Sequence, residues 1–251
     1  MGEKLFEKEY KVHYYETDRK QKLKTRSLLN YLEEVSLLQS ESLGVGLDFY
    51  KNNGVIWVLH KLDIELKRVP FFNETILVQT IPFSVSGFMG FRKFRVLDAH
   101  NEELISANSA WLFINSDRRR PQRVSGRVKE AYGHLNSPEE KLDMATVPGS
   151  SRTDASAEFS VRHADIDINQ HVNNACYAEW ALEPLPEELH LQYKLKRMQI
   201  DFKKETTYKE DVESLVQIDQ NESGFTTLHQ ITGPESEEKC RIACHWEKPG
   251  T

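Results

Sequence analysis

The residues that could do chemistry lie in one stretch, Asp165-Ile-Asp167-Ile-Asn169-Gln-His171-Val-Asn173-Asn174, just ahead of a short helical run. Polar groups stand at every second position, so an extended strand would point Asp165, Asp167, Asn169 and His171 to one side. One imidazole, one amide and two carboxylates at the mouth of a helix suit proton transfer and the binding of an oxyanion. Three other readings compete. The start of a calcium loop fails, because Gly and Glu are needed where Gln170 and Cys176 stand. A zinc site from His171, Asp167 and Glu205 lacks a second nearby histidine. The third is a turn that only caps the helix, with Asn173 or Asn174 as N-cap.

The run Asp167-Ile-Asn169-Gln-His171-Val-Asn173-Asn174-Ala-Cys-Tyr177 with Trp180, followed by Ile200-Asp-Phe-Lys-Lys-Glu205, resembles the acyl-acyl-carrier-protein (acyl-ACP) thioesterase family. The resemblance extends from about Tyr10 to about Trp246. It implies a double hot-dog fold, hydrolysis of a fatty acyl thioester on acyl carrier protein, and no cofactor. Asp167, Asn169 and His171 match the family's Asp-x-Asn-x-His positions, and Glu205 its downstream glutamate. Thioester hydrolysis needs an activated nucleophile and a stabilised oxyanion. Glu205 could act as the base that activates water, if burial raises its pKa toward neutrality. His171 could share the proton transfer or orient the water. Asn169 could donate its amide to the carbonyl, and Asp167 could orient its neighbours or attack directly. Backbone N–H groups near Asn173 and Asn174 could add donors. Plant members carry a cysteine after the glutamate, where this chain has Thr206, so a Cys–His mechanism through that position is excluded. Cys176 is read as packing.

The bulk properties narrow the class. The chain has 251 residues, 39% hydrophobic and 29% charged, with a formal net charge of -6. That balance argues against nucleic-acid binding. No apolar run reaches the roughly 20 residues of a membrane span. The charged N-terminus has no apolar signal core, so a cytoplasmic location is expected. Cys176, Cys240 and Cys244 form no Cys-x-x-Cys pair and are expected to be reduced. Against the acidic background, Arg118, Arg119, Arg120 and Arg123 form a basic run, extended by Arg127 and Lys129. Lys194, Lys196, Arg197, Lys203 and Lys204 form a second. The first run is the candidate docking site for an acidic carrier protein.

The elements that must position these residues occur twice. Val12–Asp18 lies over Val161–Asp167, Leu62–Arg68 over Met198–Lys204, and Ser109–Trp111 over Cys244–Trp246. Each copy reads strand, helix, then meander. The first has a helix over Ser27–Ser42, stopped by Gly44 and Gly46, then strands near Val55–Leu66, Thr75–Pro82, Gly87–Asp98 and Glu103–Asn115. The second has a helix over Asn174–Glu183, cut by Pro184 and Pro186, then strands near Lys194–Lys204, Asp211–Asp219, Phe225–Thr232 and Lys239–Trp246. The predicted fold is α+β, two tandem hot-dog domains joined into one continuous sheet. Residues 1–130 form the first domain with the acyl-chain pocket, 131–155 a linker and 156–251 the catalytic domain. Tyr31, Trp57 and Trp111 are read as core. Lys20, Lys22 and Val69 stand where the second copy has Asn169, His171 and Glu205, so the first copy lacks the polar set. Rival readings are an acyl-CoA thioesterase with the same site, a hot-dog dehydratase whose usual motif is not found, and a non-catalytic acyl-binding protein. Acyl chain length, the nucleophile and pairing into a homodimer stay open.

Overall fold

The computed structural model describes residues 4–134 and 140–248. Residues 135–139 of the expected linker, and the first and last three residues of the chain, lie outside the described residues. Two units are present. One comprises the residues up to Leu62 with Lys67–Met144, the other Asp63–Leu66 with the residues from Ala145 on.

In the first unit β1 (Phe6–Lys11) precedes α1 (Thr25–Ser42) and α2 (Leu47–Asn53). Then come β2 (Val55–Leu66), whose last four residues count with the second unit, β3 (Thr75–Ser86), β4 (Met89–Leu97), β5 (Glu103–Asn115), the short β6 (Arg120–Pro121) and α3 (Gly126–Ala131). The hydrogen-bonded order is β1-β3-β4-β5-β2, with β6 on β5. Leu28, Leu29, Tyr31, Leu32 and Val35 form the buried stripe of α1, which packs on β3 and β1. This amphipathic spacing is what makes the segment a helix rather than a strand. Leu43 caps its end and Gly44 follows at φ 68°, a left-handed turn that glycine takes without strain. Val45, Val55, Val85, Phe113, Val124 and Val128 close a second apolar cluster, with Trp57 at its margin. Tyr31 is core as expected, whereas Trp57 and Trp111 are only half-buried.

The second unit repeats the plan with β7 (Ala155–Ser160), α4 (Asn174–Leu182), α5 (Glu187–Gln192), β8 (Lys194–Phe202), β9 (Asp211–Gln220), β10 (Gly224–Thr232) and β11 (Glu238–Glu247). Its order is β8-β11-β10-β9-β7, every pairing antiparallel. Ala175, Cys176, Tyr177, Ala178, Trp180 and Ala181 are all buried in α4, which lies against β9, β10 and β11. A helix apolar nearly all round is what a sheet curling about it requires. All three cysteines are free and buried. Each unit is thus a helix held in an antiparallel sheet, the hot-dog arrangement.

The structure departs from the expected elements where breakers mislead. β3 runs past Pro82 to Ser86, because the ladder shifts register at Pro82 and a bulge tolerates the missing N–H. Three short helices, α2, α3 and α5, were not expected. One of them opens after Ser125, whose hydroxyl accepts the Val128 N–H at 3.4 Å. Residues 145–154 belong to the second unit: Val147 is 2% exposed, and its N–H donates to Asp201 at 3.1 Å. No helix among the described residues is long and apolar enough to cross a membrane.

Candidate active site

The segment from Asp165 to Asn174 is not an extended strand. It is a tight loop closed by a single bridge between Ile166 and Val172, with Gln170 at φ 65°. The reason is Asp167. Its Oδ1 accepts the N–H of Asn169 at 2.8 Å and of His171 at 3.3 Å, folding the chain back on itself. Its backbone N–H donates to His171 O at 2.8 Å. Its Oδ2 accepts the side-chain amide of Asn169 at 3.2 Å. Asp167, Asn169 and His171 are therefore brought together by the turn itself, not by strand alternation.

Asp165 does not join them. It is 1% exposed and pairs with the Arg162 guanidinium at 2.6 and 2.9 Å. Nor is the Asn173 N–H available to a substrate, since it donates to Asp165 O at 2.8 Å. Asn173 is instead the N-cap of α4, its Oδ1 accepting the Ala175 N–H at 2.8 Å.

Glu205 arrives from the irregular segment between β8 and β9. Its Oε2 lies 3.3 Å from His171 Nε2, with the side chains 36% and 24% exposed. Burial of Glu205 is thus only partial. Its neighbour anchors the pair: Thr206 O accepts the Val172 N–H at 3.0 Å. The buried Thr206 hydroxyl accepts from Tyr177 at 2.8 Å, which makes this side chain structural. Cys176 is fully buried with Sγ 3.9 Å from Asp165 Oδ1. Among the described residues no cluster of His, Cys, Asp and Glu could hold a metal ion.

The first unit carries the same loop with different side chains. Asp18 accepts the N–H groups of Lys20 at 2.7 Å and Lys22 at 2.9 Å, Gln21 has φ 61°, and Thr17 bridges Leu23. Leu23 N–H donates to Pro70 O at 2.8 Å, as Val172 does to Thr206. The turn is thus a device of the fold, and Asn169, His171 and Glu205 are what the second unit adds to it.

The basic runs differ. Arg118, Arg119, Arg120 and Arg123 are all exposed, on the hairpin that joins β5 to β6 and just beyond it. In the second run Arg197 pairs with Asp63 at 2.6 Å, Lys203 with Asp201 at 3.4 Å, and Lys196 and Lys204 with Glu247 and Glu237 at 3.8 Å. Much of its charge is answered locally. Sequence reasoning missed Lys239, a lysine 2% exposed in β11 that reaches the Glu205 segment. By alternation it shares a side of β11 with Arg241 and His245, and it is turned inward at the register shift between Cys240 and Glu238.

Two tandem hot-dog units, one of them bearing the His171–Glu205 pair, define a double hot-dog protein. Residues 3–132 match the family model of the acyl-ACP thioesterase N-terminal domain, and residues 149–248 that of the acyl-ACP thioesterase C-terminal domain. The chain belongs to the acyl-ACP thioesterase family. It is 28% identical over 246 residues to the chloroplastic oleoyl-acyl carrier protein thioesterase 2 of Arabidopsis thaliana, over 91% of this chain and 66% of that relative. It therefore spans just under two thirds of that relative's length. An acyl-ACP thioesterase from Bacteroides thetaiotaomicron superposes with a TM-score of 0.85 at 24% identity, covering 97% of this chain and 98% of that one. The 12:0-ACP thioesterase from Umbellularia californica gives 0.84 at 20% identity, with 98% of each chain covered. These two likenesses bear on the fold.

Proposed function

We propose that this chain hydrolyses the thioester of a fatty acyl group carried on acyl carrier protein, releasing the free acid and ending chain elongation. The observation that carries the reading is the His171–Glu205 pair at 3.3 Å, beside an Asn169 amide held by Asp167, in one unit only. Glu205 takes a proton from water, with His171 orienting or relaying it, and the water oxygen adds to the thioester carbon. The Asn169 amide has two hydrogens; one goes to Asp167, and the second is assigned to the developing oxyanion. Collapse of the tetrahedral intermediate expels the carrier thiolate, which takes the proton back. Asp167 already accepts three N–H groups, so it is assigned to positioning rather than attack. Water is then the nucleophile.

The first unit, with lysines in place of the amide and imidazole, is assigned to the acyl chain. The exposed arginines Arg118, Arg119, Arg120 and Arg123 are assigned to docking the acidic carrier. Release of free acid from acyl-ACPs of several chain lengths, run beside the same acyl groups on coenzyme A, tests the reading. Faster turnover of the carrier-protein substrates supports it. Faster turnover of the coenzyme A esters makes the chain an acyl-CoA thioesterase, and no turnover of either makes it an acyl-binding protein.

A further inference from the structure

Glu205 lies in a segment outside any β-ladder, so its backbone must be held by other groups. Lys239 supplies them. Its Nζ donates to Glu205 O at 3.2 Å, to Glu210 Oε2 at 2.6 Å and to Glu237 Oε1 at 2.8 Å. These contacts match the three hydrogens of an ammonium. The backbone carbonyl of Lys239 accepts the N–H groups of Lys203 at 2.8 Å and Lys204 at 3.1 Å. Glu210 in turn accepts the Thr207 N–H at 3.0 Å and hydroxyl at 2.7 Å. The chain from Lys203 to Glu210 is thus wrapped around one buried cation. Burial works against the charge on Lys239, but the two glutamates outweigh it and raise its pKa.

The first unit shows what the same turn needs when no acid is displayed. Leu104 O accepts the N–H groups of Lys67 at 3.0 Å and Arg68 at 3.2 Å, as Lys239 O does for Lys203 and Lys204. Glu74 accepts the Phe71 N–H at 2.9 Å, as Glu210 does that of Thr207. Yet the buried residue there is Leu104, and Glu74 is held by the more exposed Arg68 at 2.6 and 2.9 Å. Val69 stands at the Glu205 position. An apolar residue with an outer arginine therefore builds the turn without burying a lysine, whose desolvation is costly. The buried cation occurs in the copy that carries Glu205.

We propose that Lys239 is a positioning residue: by fixing the Glu205 carbonyl it holds the Glu205 carboxylate in reach of His171. The proposal rests on the assignment of Glu205 as the base. It is tested with oleoyl-acyl carrier protein as substrate and three variants: Lys239→Met, Lys239→Met with Lys204→Arg, and Lys239→Met with Glu205→Gln. The second copies the first unit's solution and restores a cation for Glu210. Lys239→Met is expected to lower kcat on the order of 100-fold, with KM little changed, as misplacement of a catalytic group does. Adding Lys204→Arg is expected to recover the melting temperature but not kcat. In the Glu205→Gln background, Lys239→Met is expected to cause no further loss, because both changes remove one function. Wild-type kcat in either folded Lys239→Met variant carrying Glu205, or an equal loss with and without Glu205, overturns the proposal. If Glu205→Gln alone keeps wild-type activity, the base assignment falls and the proposal with it. If Glu205→Gln is inactive and Lys239→Met is not, only the proposal falls.

Discussion

Acid should destabilise the second unit through His229. This side chain is 2% exposed on β10, and burial pushes its pKa down to about 3. Its Nε2 lies 2.8 Å from the Thr227 hydroxyl, which also accepts the Trp246 indole N–H at 3.1 Å. The hydroxyl hydrogen is then free to go to a neutral imidazole, and the folded state has no need of a second proton on the ring. In the unfolded chain a histidine titrates near 6.5. From about pH 6.5 down to about 3 the unfolded state therefore binds more protons than the folded one. Stability contributed by this group is full above that window and is lost as pH falls through it. Between pH 7 and pH 5 the loss works out at about 2 kcal/mol. Urea unfolding at the two pH values, followed by tryptophan fluorescence, measures it. His229→Gln removes the titration, so its drop between pH 7 and pH 5 should be smaller than that of the wild type by about the same 2 kcal/mol. Equal drops in both proteins would refute the reasoning.

Thr206→Ala and Cys176→Ser should each keep most of the turnover, while loss of the Tyr177 hydrogen bond in the first should cost about 1–2 kcal/mol of stability; kcat and urea midpoints check both. Changing Arg118, Arg120 and Arg123 to glutamate should raise KM for acyl-ACP at low salt, leave a small neutral thioester unaffected, and matter less as ionic strength rises. Gly90→Ala places a Cβ 2.8 Å from the Trp57 ring, and the repacking should lower stability by about 1–3 kcal/mol, read as a fall in melting temperature.

The meander strands were legible because their residues alternate, and α1 because its leucines recur at helical spacing. Proline carries a local rule that tertiary context can relax, and at Pro82 a bulge does so. The short helices α2, α3 and α5 have too few apolar residues to show a period. The four candidate residues stand out in the sequence by type, but the turn that brings them together does not. Even spacing of polar residues describes a strand, but here one aspartate that bonds its own backbone makes a turn instead. The repeat holds the clue, since Asp18 occupies the same place ahead of Lys20 and Lys22 and makes the same turn. The burial on which the base reading of Glu205 is conditioned is only partial, its side chain being 36% exposed. Lys239 was hidden because a lone lysine in a strand reads as solvent-facing, and only its partners Glu205, Glu210 and Glu237 reveal its place.

In the mechanism proposed above, Glu205, paired with His171, activates the water that cleaves the thioester. The most direct measurement is the rate of free-acid release from oleoyl-acyl carrier protein by Glu205→Gln, on protein whose circular dichroism and melting temperature match the wild type. Removal of the general base should lower kcat about 100-fold or more. A folded Glu205→Gln protein that turns over at the wild-type rate would contradict it.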